Sequence, residues 1–150
     1  MFKCAEIPYQ DIVPFWDKLW PTHNYEAHSA MCYLGGYLAW PPKEIYYYAV
    51  QNSQGDIVGV NSCHDTGAYT VRSRGLWVDP KYRGQGLGTT LLTHAVAWAE
   101  ERNYWAVWSY PKQSAWPAYA SAGFVRQGSW ITDGAAVNSY AIRFINNDHN

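Results

Sequence analysis

Residues 78–88 read Val-Asp-Pro-Lys-Tyr-Arg-Gly-Gln-Gly-Leu-Gly, and an amphipathic helical pattern follows at once. No other stretch restricts the fold as much. A strand ends at Val78, because Asp79-Pro80 cannot continue it. Three glycines then let the main chain come close to a ligand. The helix start aims its unpaired N–H groups, and the positive end of its dipole, into the loop. Such a junction favours a phosphate or pyrophosphate, and Arg83 adds a fixed cation at its mouth. Two familiar phosphate loops do not fit. A P-loop needs Lys and Ser/Thr after its last glycine, and Thr89-Thr90 has no Lys before it. A dinucleotide fingerprint needs Gly-x-Gly-x-x-Gly near the first strand, whereas this loop is Gly-x-Gly-x-Gly in mid-chain.

The helix behind the loop is the clearest element. Leu87, Leu91, Ala95 and Ala99 recur every four residues, Leu92, Val96 and Trp98 widen the stripe, and Asn103 suits a left-handed end. Upstream, Phe2 to Ile7 predicts a strand. Asp11 caps a helix reaching Trp20 with Pro14 in its first turn, and Ser29 to Ala39 is a second helix weakened by Gly35-Gly36. Glu44 to Gln51 and Asp56 to His64 flank a turn at Asn52-Ser53-Gln54-Gly55 and predict a hairpin. Tyr69 to Val78 alternates, with Thr70, Arg72 and Arg74 on one face and Tyr69, Val71 and Ser73 on the other. Downstream, Tyr104 to Trp108 is a short apolar run typical of a buried strand. Ser114 caps a short helix carrying Tyr119, with Pro117 in its first turn and Gly123 at its end. Phe124 to Ile131 and Val137 to Ile145 close the chain as a hairpin. With no repeat or linker, the order describes a single mixed α+β domain over residues 1–150.

Composition excludes several classes. Only 15% of residues are charged against 48% apolar, which argues against disorder. A net charge of −1 gives no footing for nucleic acid or an anionic membrane. No apolar run approaches the roughly 18 residues of a membrane span, and the N-terminal residues lack the core of a secretion signal. Cys4, Cys32 and Cys63 have no metal spacing, so we expect reduced thiols, no metal and a cytoplasmic protein. Nine tryptophans and thirteen tyrosines either fill a core or line a site for a flat ligand. Trp40, Tyr46, Tyr47 and Tyr48 fall where a substrate wall would form.

This element order resembles the GCN5-related N-acetyltransferase (GNAT) family along nearly the whole chain. The specific part runs from about Leu76 to Phe124. The family's acyl-CoA loop, Arg/Gln-x-x-Gly-x-Gly/Ala, stands here as Arg83-Gly84-Gln85-Gly86-Leu87-Gly88 after Val78-Asp79-Pro80-Lys81-Tyr82. Its Tyr-x-x-x-Gly-Phe segment stands as Tyr119-Ala120-Ser121-Ala122-Gly123-Phe124. The resemblance implies a mostly antiparallel twisted sheet of about seven strands, splayed between the fourth and fifth, with about four helices. It implies acetyl-CoA as cosubstrate, an amine-bearing small molecule or peptide as acceptor, and, as is common in that family, a homodimer. Main-chain groups of Leu76, Trp77 and Val78 would pair with the pantetheine amides, and amides at Gln85, Gly86, Leu87, Gly88 and Thr89 would hold the pyrophosphate. Tyr119 matches the tyrosine that protonates the departing thiolate. Where many members carry Asn before the last helix, this chain has Lys112-Gln113-Ser114.

The base that takes the amine's proton is not evident. Many relatives carry a Glu on the fourth strand, but Thr70-Val71-Arg72-Ser73-Arg74-Gly75 has no carboxylate. Glu44, His64 and Asp65 are the candidates, with His23 and His28 as lesser ones and a chain of waters as the alternative. His94 and His149 are expected to face solvent. Arg72 and Arg74 either form a solvated face or meet an anionic group on the acceptor. The resemblance therefore implies an acetyl-CoA-dependent N-acetyltransferase in which a primary amine attacks directly in a ternary complex. The alternatives are a non-catalytic acyl-CoA-binding module of the same fold, or an interaction protein using its aromatic surface.

Overall fold

A computed structural model describes residues 1–19, 45–134 and 136–145. In chain order they form β1 (Lys3–Glu6), α1 (Tyr9–Leu19), β2 (Ile45–Gln51), β3 (Ile57–Gly67), β4 (Thr70–Val78), α2 (Leu87–Glu101), β5 (Ala106–Ser109), α3 (Trp116–Ser121), β6 (Val125–Arg126), β7 (Ile131–Asp133), β8 (Ala136–Asn138) and β9 (Ala141–Phe144). Seven strands make one sheet in the order β1-β2-β3-β4-β5-β9-β6, and β7 and β8 pair separately. Neighbours are antiparallel except β4 and β5, which run parallel. Among the described residues no helix is long and apolar enough to cross a membrane.

The β4–β5 pair has only three rungs, Thr70–Ala106, Val71–Val107 and Arg72–Trp108. β4 runs on to Val78 while β5 stops at Ser109, so the two strands enclose a wedge. The residue after the last rung pins its vertex: Ser109 Oγ donates to the Ser73 carbonyl at 2.8 Å. This is the splay that the family resemblance implied.

The two faces carry separate cores. The four-residue repeat of α2 buries Leu87, Leu91, Leu92, Ala95, Val96, Trp98 and Ala99. They pack with Tyr48, Val50, Val58, Val71 and Val107 of the sheet and with Tyr119 and Phe124. On the opposite face Ile12 and Trp16 of α1 meet Ile7, Ala49 and Val60. Strand alternation explains the division: Tyr48 and Val50 point to α2, and Ala49 between them points to α1.

β4 bends at Gly75. Val60 pairs with Trp77 and Ser62 with Arg74, so Asn61 alone faces Gly75 and Leu76, which is a β-bulge. Trp16 fills the kink, and its indole N–H donates to the Gly75 carbonyl at 3.0 Å. Gly75 has φ 83°, and a Cβ there would lie 2.4 Å from the Trp16 ring. Gly75→Ala combines overpacking with left-handed strain and should cost about 2–4 kcal/mol. Thermal unfolding would show this as a loss of roughly 10 °C in Tm. Gly55→Ala is the control: φ is 84° but nothing lies within 4 Å of its Cβ, so only the strain remains. Equal losses at the two positions would refute the wedging role of Trp16.

Several boundaries differ from expectation. α1 begins at Tyr9, so Asp11 sits inside its first turn and Pro14 beyond it, where the proline withholds one helical N–H. β3 extends past His64 to Gly67, because Ala68 and Tyr69 adopt left-handed conformations that make the turn with no Asn or Pro to announce it. α3 starts after a 3-10 turn at Gln113–Ala115, with Ala115 and not Ser114 at its cap. The terminal hairpin is divided: β6 and β9 pair at the sheet edge, while β7 and β8 form a small hairpin between them. Gly128, at positive φ, breaks the first of the longer strands that the pattern suggested, and Gly134, also at positive φ, lies between β7 and β8. Asn103 is left-handed as expected, at φ 64°. The expected helix over Ser29 to Ala39 lies outside the described residues, so three α-helices are seen against about four expected.

Candidate functional site

A cleft of about 670 Å³ opens along the diverging end of β4. Leu76, Trp77 and Val78 form one wall, the glycine loop and the first turn of α2 form the base, and Pro117, Ala118 and Ser121 of α3 form the other wall. Of the expected cofactor residues, Arg83, Gly84, Gly86, Leu87, Gly88 and Thr89 line it as well; Gln85 does not. Lys112 and Ser114 line the cleft too and were not foreseen, because their segment departs from the family pattern.

Local chemistry sets the loop. Asp79 Oδ1 accepts the Lys81 N–H at 2.9 Å and Pro80 opens a 3-10 turn, so the chain reverses directly after β4. Arg83 Nε donates to the Val78 carbonyl at 2.9 Å, tying the loop to the strand it leaves. The glycines differ in purpose. Gly84 and Gly86 hold φ 79° and 78°, and a Cβ on either would meet nothing within 4 Å. Gly88 has ordinary φ, but its Cβ would stand 3.2 Å from that of Ala118, so it lets α2 and α3 approach closely. Gly86 caps α2 without any side-chain hydrogen bond, and the first turn carries no acidic residue. The helix thus presents uncapped N–H groups and an uncompensated positive dipole end. These residues fit a pyrophosphate.

Tyr119 lies at the vertex. Its ring is buried, 4% exposed, and meets Phe124 edge-on. Its hydroxyl is 3.4 Å from Ser109 Oγ, the group that pins β5 to Ser73. Behind it the fully buried Asn61 donates to the Tyr48 hydroxyl and to Ser73 Oγ, each at 2.8 Å. Burial raises the Tyr119 pKa above the ordinary tyrosine value, with the Ser109 contact and the charge of Arg72 acting against it. The side chain is therefore a neutral phenol with a proton to give. Ser73, Ser109 and Asn61 were missed; the available signal was their polarity among the apolar residues of buried strands.

The candidate bases separate. His64 and Asp65 are neighbours on β3 and project to opposite faces. Asp65 accepts the Gly67 N–H at 2.7 Å and the Tyr104 hydroxyl at 2.8 Å, so it serves the turn and the α2 side. His64 is buried within the strand, not at its end, and pairs across with Arg72. Burial and then the charges of Arg72 and Arg74 lower its pKa to about 4. Arg72 and Arg74 share one face, as the alternation predicted, and His64 joins them there opposite Arg72, on the face of α1. The Arg72 guanidinium lies 4.9 Å above the Trp108 ring. His94 does not face solvent. It stacks on Tyr46, with its Nε2 2.9 Å from the Tyr46 hydroxyl, and burial lowers its pKa. Three residues after Leu91 and four before Trp98, it stands on the edge of the apolar stripe. Tyr46 and Tyr48 pack against α2, and Tyr47 meets Trp16 on the other face. Glu44, Trp40, His23, His28 and His149 lie outside the described residues.

Comparison with known proteins agrees with the fold. The family model described as Acetyltransferase (GNAT) family matches residues 6–124. No curated protein matches the chain by sequence. Among solved structures, an IAA acetyltransferase from Bacillus cereus superposes with TM-score 0.73 at 17% identity, covering 97% of this chain and 100% of its own. The ribosomal-protein-S18-alanine N-acetyltransferase of Escherichia coli gives 0.69 at 17%, covering 97% and 94%. A spermidine N-acetyltransferase from Vibrio cholerae, solved with CoA and spermine, gives 0.68 at 13%, covering 95% of each chain. At these identities the likeness is one of fold, and the acceptors in those names have little in common.

Proposed function

The chain belongs to the acetyltransferase (GNAT) family, and on that premise we propose that it transfers an acetyl group from acetyl-CoA to a primary amine by direct attack in a ternary complex. The observation that carries this reading is the uncapped N-terminus of α2, set behind two left-handed glycines in a cleft walled by α3, the helix that carries Tyr119.

Acetyl-CoA supplies the acetyl group already activated as a thioester. The main-chain N–H groups from Gln85 to Thr89 hold its pyrophosphate, with Arg83 beside them. Leu76, Trp77 and Val78, which have no β5 partner, offer main-chain groups to the pantetheine amides. A main-chain N–H near Val78 stabilises the negative charge that grows on the carbonyl oxygen, commonly about 3 kcal/mol of help. Tyr119 gives its proton to the departing sulfur. His64 is unprotonated at neutral pH, but a pKa near 4 makes it a feeble acceptor, and Asp65 is engaged elsewhere. We therefore assign the amine's proton to water.

The test is release of free thiol from acetyl-CoA in the presence of a panel of primary amines and N-terminal peptides. The expected result is amine-dependent release that saturates in both substrates. Binding of CoA without release from any amine would favour the second reading, a binding module, to which the absence of a carboxylate on β4 lends support. No rise in Tm with CoA would remove both readings and point to an interaction role.

A further inference from the structure

We propose that Ser109 is a positioning residue for Tyr119. In the resting site it accepts a hydrogen bond from the phenol, and once the phenol's proton has gone to the sulfur it turns its own hydroxyl to hold the phenolate. This rests on the transfer reading above, in which Tyr119 is the acid, and adds the group that stabilises it after the proton has left.

The donors at the vertex follow by elimination. A serine hydroxyl has one proton and two lone pairs, and a carbonyl oxygen only accepts. Ser109 Oγ lies 2.8 Å from the Ser73 carbonyl, so its proton is committed there. Across the 3.4 Å to Tyr119 the phenol is then the donor and Ser109 the acceptor. The usual separation of two hydrogen-bonded hydroxyl oxygens is about 2.7–2.8 Å. The phenol's proton is therefore weakly held, and little is lost when it turns to another acceptor.

Loss of that proton reverses the roles. A phenolate oxygen can only accept, and Ser109 and Tyr119 are each 4% exposed, so water does little for the charge. Among the described residues, Ser109 supplies the one side-chain hydrogen bond to the Tyr119 oxygen. Turning about its Cβ–Oγ bond, the Ser109 hydroxyl exchanges a neutral bond to Ser73 for a charge-assisted one, which is shorter and roughly twice as strong. The protons balance. The phenol's proton passes to the CoA sulfur, Ser109 keeps its own, and the proton that the amine released to water restores the phenol. Burial raises the Tyr119 pKa, and the Ser109 contact and then the charge of Arg72 on β4 oppose it, the sense expected of a donor to the phenolate. Tyr48 of β2, the other titratable group that bears on it, is held neutral by its own burial.

The experiment replaces the tyrosines biosynthetically with fluorotyrosine, whose more acidic phenol titrates while the protein is still folded, and follows Tyr119 by fluorine NMR. The Tyr119 resonance is the one missing from Tyr119→Phe. Ser109→Ala should raise its pKa by about one to two units, the worth of one hydrogen bond to a charged group. Ser109→Thr keeps the hydroxyl and should return the pKa toward the parent. In turnover, Ser109→Ala should lower kcat about tenfold and leave KM for acetyl-CoA in place. In a Tyr119→Phe background the same change should lower kcat no further, because the hydroxyl it serves is gone. A residue that merely pins β5 to β4 would slow both backgrounds alike and leave the Tyr119 titration where it was, and either result overturns the inference. Should Ser109→Ala not fold, Ser109→Val against Ser109→Thr makes the same comparison at nearly equal volume. If no amine releases thiol, the transferase reading falls, and the titration alone decides the role of Ser109.

Discussion

Gly86→Trp should abolish acetyl-CoA binding in a protein that still folds. The reasoning starts from φ 78° and the empty space beyond the Cβ position. Left-handed strain costs about 1–2 kcal/mol, which a domain of this size tolerates. The indole has no neighbour to displace within the core, so it occupies the cleft where the pyrophosphate would sit. The helix start should survive, because the Gly86 carbonyl still accepts both the main-chain N–H and the hydroxyl of Thr90. Calorimetry should show affinity reduced by at least about 100-fold, with unfolding still cooperative. Gly86→Ala separates the causes: it brings the strain without the bulk, and should bind nearly as well as the parent. Wild-type affinity in the tryptophan variant would show that the loop is not the cofactor cradle.

Tyr119→Phe should lower kcat by about 10²–10³, within the usual range for losing a general acid, and change acetyl-CoA affinity little. The substitution removes one oxygen from a buried ring. Contact with Phe124 remains, and Ser109 keeps its bond to Ser73, so stability should hold. The pH profile supplies an independent check. In the proposed role Tyr119 acts while protonated, and burial raises its pKa. Any alkaline loss of kcat due to this group must then begin above the ordinary tyrosine range near 10 and vanish in the phenylalanine variant. If both kcat and affinity keep their parental values, Tyr119 is a packing residue and the sulfur's proton comes from elsewhere.

The loop and the two termini of α2 were legible because local chemistry decides them. Glycines at positive φ, a proline that stops a strand, a four-residue apolar repeat and Asn103 each carry their own signal. The central strands were legible for a similar reason, since β-rich runs bounded by a plain turn have few alternatives. What failed depends on partners distant in sequence. Nothing near Gly75 says that Trp16 lies in its kink, and nothing near His94 says that Tyr46 stacks on it. The turn at Ala68 and Tyr69 uses left-handed residues of types that seldom adopt that conformation. The polar group around Ser109 joins residues from four strands and a helix, and each looks unremarkable in its own segment. The departure from the family pattern at Lys112 to Ser114 is plain in the sequence, but that Lys112 and Ser114 line the cleft follows only from the fold.

The sheet carries the loop, α2 and α3 on one side and the arginine and aromatic residues on the other, and the short β4–β5 junction is where the two sides meet. Strand alternation lets side chains on the second side change through positions whose neighbours point away from the first. A small domain organised in this way can vary one side by point substitution, with no insertion and no change to the loop and helices on the other.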